Sequence, residues 1–405
     1  MRAYERLLNY VRVHTASSED LSRTPSTERQ FDLSRMLAAE MRELGFSEVY
    51  EDEHAYVYGV LPASVGMEDK PSVGLIAHID TVPDFSGENV DPQLHENYDG
   101  GDVVLGQSGR VLTVKNFPDL ATIKGHTLIT TDGTTVLGAD DKAGVAEILT
   151  ACETILREGR PHGRIAVCFT PDEEVGHGAA LLDIERLGVD FAFTADGGEL
   201  DEINFETFNA ASAHWDVHGF NVHPGSAKNT MVNASLVAME INAMLPAGDV
   251  PEKTENYEGF YHLTDMQGNV EKATLDYIIR DHDAASFAAR KACLRHIEAL
   301  INEKYGEGTA VLTLREQYRN MAEKLSEHME IVELAEKAIA RAGLVPKRIP
   351  VRGGTDGAQL SFRGLLCPNI GTGGYGFHGP YEHISVENMD KAVEILLNIL
   401  DGVLE

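Results

Sequence analysis

Acids and histidines able to bind a cation occur at five places in this sequence. In Thr170-Pro-Asp-Glu-Glu-Val-Gly-His-Gly178, Asp172, Glu173 and Glu174 stand side by side after the apolar run 165–169. Like charges repel, so the triplet is either a solvated turn or the rim of a cation site. His78-Ile-Asp80 ends a second apolar run. Asp140 and Asp141 stand in Gly138-Ala-Asp-Asp-Lys142, and Asp196 opens Asp196-Gly-Gly198. His378 closes Gly373-Gly-Tyr-Gly-Phe-His378, with Glu382 four positions on. Carboxylates and imidazoles are ligands that zinc accepts at a catalytic site. Each motif alone fits a blander use. His78-x-Asp80 fits a surface turn, and Asp140-Asp141 an N-terminal helix cap favoured by the dipole. Asp196-Gly-Gly fits a turn, and His378 a hydrogen-bonded loop histidine. Their shared placement points to metal, because open α/β sheets bind ligands outside the carboxyl ends of their strands.

The elements that must hold these groups are legible as alternating patterns. Near-continuous apolar runs at 72–77, 164–170 and 190–194 read as strands buried on both faces, as in a parallel sheet. Between the first two, Val145, Ile148, Leu149, Cys152, Ile155 and Leu156 keep helical spacing after Asp141. Thr27-Glu-Arg-Gln30 matches a capping box before a helix over 31–44 that Gly45 ends. From about 209 the pattern changes. Strand 213–218, helix 230–245, strands 259–270 and 273–281, helix 284–305 and strand 310–314 give the order β-α-β-β-α-β, which is ferredoxin-like. The α/β pattern then returns, with a helix near 325–343, the loop Arg352-Gly-Gly-Thr-Asp-Gly357 and a last helix from Ser385. The expected organisation is a discontinuous catalytic domain, 1–208 with 315–405, and an inserted lid domain, 209–314. The first has an α/β fold with a mixed, mostly parallel sheet flanked by helices. The second is α+β.

Composition narrows the function. The chain has 405 residues, 43% of them hydrophobic, which suits two globular domains. Asp and Glu total 65 against 34 Lys and Arg, a net charge of −31. That surplus argues against nucleic-acid or anionic-membrane partners. The 4 cysteines, Cys152, Cys168, Cys293 and Cys367, form no C-x-x-C pair, which suits a reducing, cytoplasmic setting. No signal-peptide core stands near the N-terminus, and no apolar run approaches the ~18 residues of a membrane span.

With these motifs assembled, the chain resembles the tripeptide aminopeptidases, within the wider group of dizinc aminoacylases and carboxypeptidases. The resemblance rests on His78-Ile-Asp80, Gly138-Ala-Asp-Asp-Lys-Ala-Gly144, Thr170-Pro-Asp-Glu-Glu-Val-Gly176 and Asp196-Gly-Gly198. Asn221-Val-His-Pro-Gly225, Tyr277-Ile-Ile-Arg-Asp281 and Arg352-Gly-Gly-Thr-Asp-Gly357 extend it across essentially the whole chain. It implies a zinc-exopeptidase fold and two zinc ions bridged by Asp140, with manganese or cobalt accepted by similar ligands. One ion would take His78 and Asp196, the other Glu174 and His378. Asp80 would stand behind His78, and Glu173 would be the general base. The substrate implied is a small peptide, a tripeptide, cleaved at its first bond. Related dipeptidases, carboxypeptidases and N-acyl amino acid deacylases share the metal chemistry. Tyr381 stands where relatives carry a second histidine, and His177 where they carry a lysine.

The resemblance also gives one residue of the inserted domain a role. His223 would donate to the oxyanion, although as a loop histidine it also fits a solvated turn. Arg280 and Arg352 fit either a bidentate clamp on a substrate carboxylate or a structural ion pair. Asn233 fits either a helix cap or a contact to substrate backbone. The inserted domain has strand edges through which a homodimer could form.

Overall fold

In the computed structural model, which describes every residue except Gln107, the chain divides into two compact units. The first comprises Met1–Phe205, Glu323–Ile349 and Thr355–Glu405; the second comprises Glu206–Ala322 and Pro350–Gly354. The second unit thus takes in residues 206–208, 315–322 and 350–354, which the sequence pattern leaves with the first.

The first unit is built on an eight-stranded sheet. Its spatial order is Ser47–Glu51, Val57–Leu61, Ile165–Thr170, Val73–His78, Phe191–Ala195, Asn369–Ile370, Glu202–Asn204 and Lys347–Arg348. Val73–His78 runs parallel to both neighbours. Val57–Leu61 and Glu202–Asn204 run against Ile165–Thr170 and Asn369–Ile370. The sheet is therefore mixed with a parallel centre, as the apolar runs predict. Every residue of Val73–His78 and Ile165–Thr170 is buried, because helices and loops cover both faces. On one face Leu75, Val167 and Phe193 share a core with the helices Ala3–Tyr10, Ala139–Glu158 and Val386–Gly402. On the other, Ile76, Cys168 and Ala192 pack with Tyr56, Tyr58, Leu182, Leu360 and Leu365.

Register sets up the site. His78 pairs with Thr170, and Ile76 with Thr194. Residues 79–80, 171–174 and 196 therefore leave the sheet along one edge. Gly144 seats the helix Ala139–Glu158 against that edge. A Cβ there would lie 2.0 Å from the Ala195 carbonyl oxygen and 2.6 Å from the Asp141 carboxylate.

A smaller antiparallel sheet in the same unit has no counterpart in the sequence pattern. Its order is Gly374–Tyr375, His383–Ser385, Leu128–Thr130 and Gln93–His95. The hairpin joining its first two strands carries His378 and Glu382, and Leu128–Thr130 leads toward Gly138. The capping box at Thr27 does not form. The helix runs Gln30–Leu44 without a side-chain cap. The Gln30 amide instead donates to Asp172 Oδ1 at 2.7 Å, and Thr27 Oγ1 donates to the Ala16 carbonyl.

Glu147 is an anomaly in this unit. It is wholly buried in Ala139–Glu158, and neither carboxylate oxygen has a hydrogen-bond partner among the described residues. Burial pushes its carboxyl well above the ordinary 4.5. A raised acid stabilises the fold below its unfolded value, and that stability is lost as pH rises through the folded value. Glu147→Leu is therefore expected to raise Tm by about 2–4 °C at pH 8 and by less at pH 5. Thermal unfolding at both pH values checks this; equal gains would contradict it.

The second unit holds four antiparallel strands in the order Phe260–Gly268, Lys272–Asp281, Asn209–His218 and Ala310–Tyr318. Lys272–Asp281 alternates buried and part-exposed residues along its length, the mark of a sheet covered on one face. Ala273, Leu275, Tyr277 and Ile279 form a core with Trp215 and with the helices Ala234–Ala243 and Ala284–Tyr305. Chain order and strand order together are ferredoxin-like.

Candidate metal centre and active site

His78 ends its strand with a buried ring. Its Nδ1 is 3.1 Å from the Asp80 main-chain oxygen and 3.4 Å from Asp80 Oδ1. Nδ1–H donation to the main chain leaves Nε2 facing Asp140 Oδ1 at 3.0 Å and Asp196 Oδ1 at 3.7 Å. His378 presents its own Nε2 to Asp140 Oδ2 at 3.2 Å and to Glu174 Oε2 at 3.0 Å. The two oxygens of Asp140 therefore face one imidazole each. Ligand atoms of His78, Asp140 and Glu174 lie within 4.8 Å of one another, as do those of His78, Asp141 and Asp196.

These spacings suit metal ions. Zinc bonds of 2.0–2.1 Å in a tetrahedron set neighbouring ligand atoms roughly 3.3 Å apart. The charge pattern agrees. Among the described residues, Asp140, Glu174 and Asp196 pair with histidines and with no lysine or arginine. The His378 imidazole is pushed up to about 11 by hydrogen bonds to Asp140 and Glu174, so the cluster draws positive charge to this spot. Burial pushes the Asp140 carboxyl up, but His378 and His78 outweigh it and hold it below the usual range. Burial raises Glu174 to about 7. The donor set fits two cations sharing Asp140.

Glu173 is raised well above its ordinary value, chiefly by burial. No hydrogen bond reaches its carboxylate among the described residues. Its position is fixed through its main chain instead. The Glu173 N–H donates to Asp80 Oδ1 at 3.0 Å, and the Glu174 N–H to Asp80 Oδ2 at 3.2 Å. The Asp80 carboxylate thus clamps the turn that carries both glutamates, and the orientation of His78 falls mainly to the Asp80 carbonyl. Asp172 is buried with φ near +57° and accepts from Ser26 N, Ser26 Oγ and Gln30 Nε2. It ties the acidic turn to segment 26–30.

Three further acids surround the centre. Asp141 accepts the His78 N–H at 3.1 Å and the Gly144 N–H at 3.2 Å, a use the helix-cap pattern does not suggest. Asp356, inside the Arg352–Gly357 motif, accepts from Thr170 Oγ1 at 2.9 Å, and its buried Oδ1 has no partner among the described residues. Glu382 spends both oxygens on main-chain N–H groups of residues 137–140. That leaves His378, rather than Glu382, facing Asp140 from this hairpin. The Tyr381 ring lies against Phe117 with centroids 5.7 Å apart.

The remaining candidates lie in the second unit. His223 is exposed, and its Nδ1 accepts the Gly225 N–H at 3.1 Å. In the neutral ring Nε2 then carries the proton. Asn233 caps Ala234–Ala243, accepting from Ser235 N and Leu236 N. Arg280 lies over the Tyr318 ring at 5.3 Å and donates to the carbonyls of Ala211 and Ile279. No carboxylate pairs with it among the described residues, and burial lowers its guanidinium from its ordinary value. Arg352 donates to the Asn256 and Glu258 carbonyls at 2.8 Å and to Thr254 Oγ1 at 2.9 Å. Its guanidinium lies over Phe208 and Phe260. These contacts anchor loop 254–258, a structural use for Arg352.

Known proteins resemble this chain over nearly its whole length. The family model described as Peptidase family M20/M25/M40 matches residues 133–402. Peptidase T of Clostridium perfringens strain 13 is 53% identical over 400 residues, covering 98% of each chain. Peptidase T of Caldanaerobacter subterraneus subsp. tengcongensis is 50% identical over 402 residues, covering 99% of this chain and 98% of that one. Among solved structures, the aminopeptidase PepT of Bacillus cereus superposes with a TM-score of 0.80 at 22% identity. It covers 100% of this chain and 98% of its own. A dinuclear metal-binding peptidase of the M20 family from Bacillus subtilis gives 0.67 at 16% identity, over 99% of this chain and 98% of its own.

Proposed function

Because the chain belongs to peptidase family M20/M25/M40, we propose that it is a two-metal aminopeptidase that removes the first residue of tripeptides. The observation that carries the two-metal reading is Asp140, with one oxygen toward His78 and the other toward His378. Relatives named Peptidase T, about half identical over nearly the full chain, support the substrate class.

His78, Asp140 and Asp196 would hold one ion, and Asp140, Glu174 and His378 the other. Zinc suits these ligands, and manganese or cobalt are accepted by similar sets. Such ions would supply polarisation of the scissile carbonyl and a water acidic enough to attack near neutral pH. Glu173 takes the proton from the attacking water and delivers it to the leaving nitrogen. Asp80 keeps Glu173 and the ligand Glu174 in fixed relation by gripping both of their amides. His223 would offer its Nε2–H to the developing oxyanion.

Arg280 is the proposed partner of the substrate carboxylate, since it is part-buried and no acid among the described residues pairs with it. Arg280→Ala is expected to raise KM for a free tripeptide about tenfold or more. It should change KM for the C-terminal amide of that peptide little. Steady-state kinetics on both substrates checks this, and equal effects would remove the clamp.

The function is tested by supplying metal-reconstituted protein with a free tripeptide, its N-acetylated form and the corresponding dipeptide. Release of the first residue from the free tripeptide alone is expected, with products identified by mass. Cleavage of the blocked peptide, or release from the C-terminal end, would move the chain to the deacylases or carboxypeptidases.

A further inference from the structure

We infer that Glu382 is a positioning residue that fixes Asp140 between the two imidazoles, an inference that rests on the two-metal reading above. Glu382 is 1% exposed. Its Oε2 accepts the N–H groups of Leu137 at 2.7 Å and Gly138 at 2.8 Å. Its Oε1 accepts the Asp140 N–H at 2.9 Å. These amides lie where the chain enters the helix Ala139–Glu158, and the first N–H groups of a helix have no partner inside it. A carboxylate meets the need with charge-assisted bonds.

The same side chain joins two ligand-bearing segments that are far apart in sequence. Glu382 sits four residues after His378 in the hairpin between Gly374–Tyr375 and His383–Ser385. The Asp140 amide it grips is one bond from the Cα that carries the shared carboxylate. Displacing Glu382 therefore shifts Asp140 relative to His378, whose Nε2 is 3.2 Å from Asp140 Oδ2. A helix cap alone would affect only stability. A positioning residue also affects how the centre holds its ions, because partners behind the ligands orient them.

Glu382→Gln separates the two. The amide has one oxygen, so its NH₂ must face a main-chain N–H whichever way it turns. The variant is expected to fold, judged by circular dichroism, and to bind zinc about 10–100-fold more weakly in competition with a chromophoric chelator. With cobalt(II), the visible absorption band should shift or change in intensity. The kcat for the tripeptide should fall about 10–100-fold with KM little changed. A folded variant with native zinc affinity and cobalt spectrum would overturn the inference, even with a lowered Tm. Glu382→Asp keeps the charge but withdraws it by one methylene, and it gives the same readouts if the glutamine variant does not fold. The unaltered protein is the control. If it binds fewer than two ions, the two-metal reading fails, and the role of Glu382 fails with it. If it binds two and the variant matches it, only the role of Glu382 fails.

Discussion

Glu173→Gln is expected to lower kcat by about 10³-fold while leaving the metal content unchanged. The factor is within the range for loss of a general acid–base group, and it corresponds to about 4 kcal/mol of barrier. The geometry separates the two readouts. Glu173 forms no hydrogen bond with either histidine, whereas its neighbour Glu174 is 3.0 Å from His378 Nε2. Glutamine preserves the size of the side chain and the main-chain bonds to Asp80. It removes only the ability to take up a proton. Steady-state kinetics with elemental analysis on the same preparation checks both halves. A variant within tenfold of the native kcat would remove Glu173 as the base.

Asp140→Ala is expected to have a larger effect, because in the proposed centre it would remove a ligand from both ions at once. Zinc content should fall from two ions per chain to fewer than one after dialysis. The kcat/KM should drop by about 10⁴-fold or more, beyond the usual effect of losing one proton-transfer group. His78→Ala is the contrasting variant: it should weaken one ion and spare the Asp140–Glu174–His378 side. Elemental analysis and kinetics on both proteins distinguish a shared ligand from an ordinary one. Full occupancy in Asp140→Ala would contradict the shared position.

Much of this centre is legible in the sequence because it follows strand ends. His78, Glu173, Glu174 and Asp196 follow within a few residues of the ends of apolar runs, and strand register then brings those ends level. Asp140 opens a helix whose apolar period is plain. The smaller sheet is not legible for a physical reason. Gly374–Tyr375, His383–Ser385, Leu128–Thr130 and Gln93–His95 are two or three residues long. Such segments are too short to show an alternating period, and their pairing links parts of the chain far apart in sequence. The grip of Glu382 on residues 137–140 depends on that sheet and is hidden with it. Acceptors for main-chain N–H groups leave little sequence signal, since any carboxylate of the right reach will serve. Asp80 is a milder case. Its place beside His78 is legible, whereas its hold on the amides of Glu173 and Glu174 is not. The pattern Thr27-x-x-Gln30 misleads because a tertiary partner, Asp172, takes the glutamine that a local cap would use.

The most direct test of the centre is anomalous diffraction at the zinc edge from crystals of the zinc-loaded protein. Two peaks are expected, one on each side of the Asp140 carboxylate. One should lie by His78 and Asp196, and the other by Glu174 and His378. A single peak, or a peak held by Asp141 in place of Asp140, would contradict the shared-carboxylate centre on which the proposed chemistry depends.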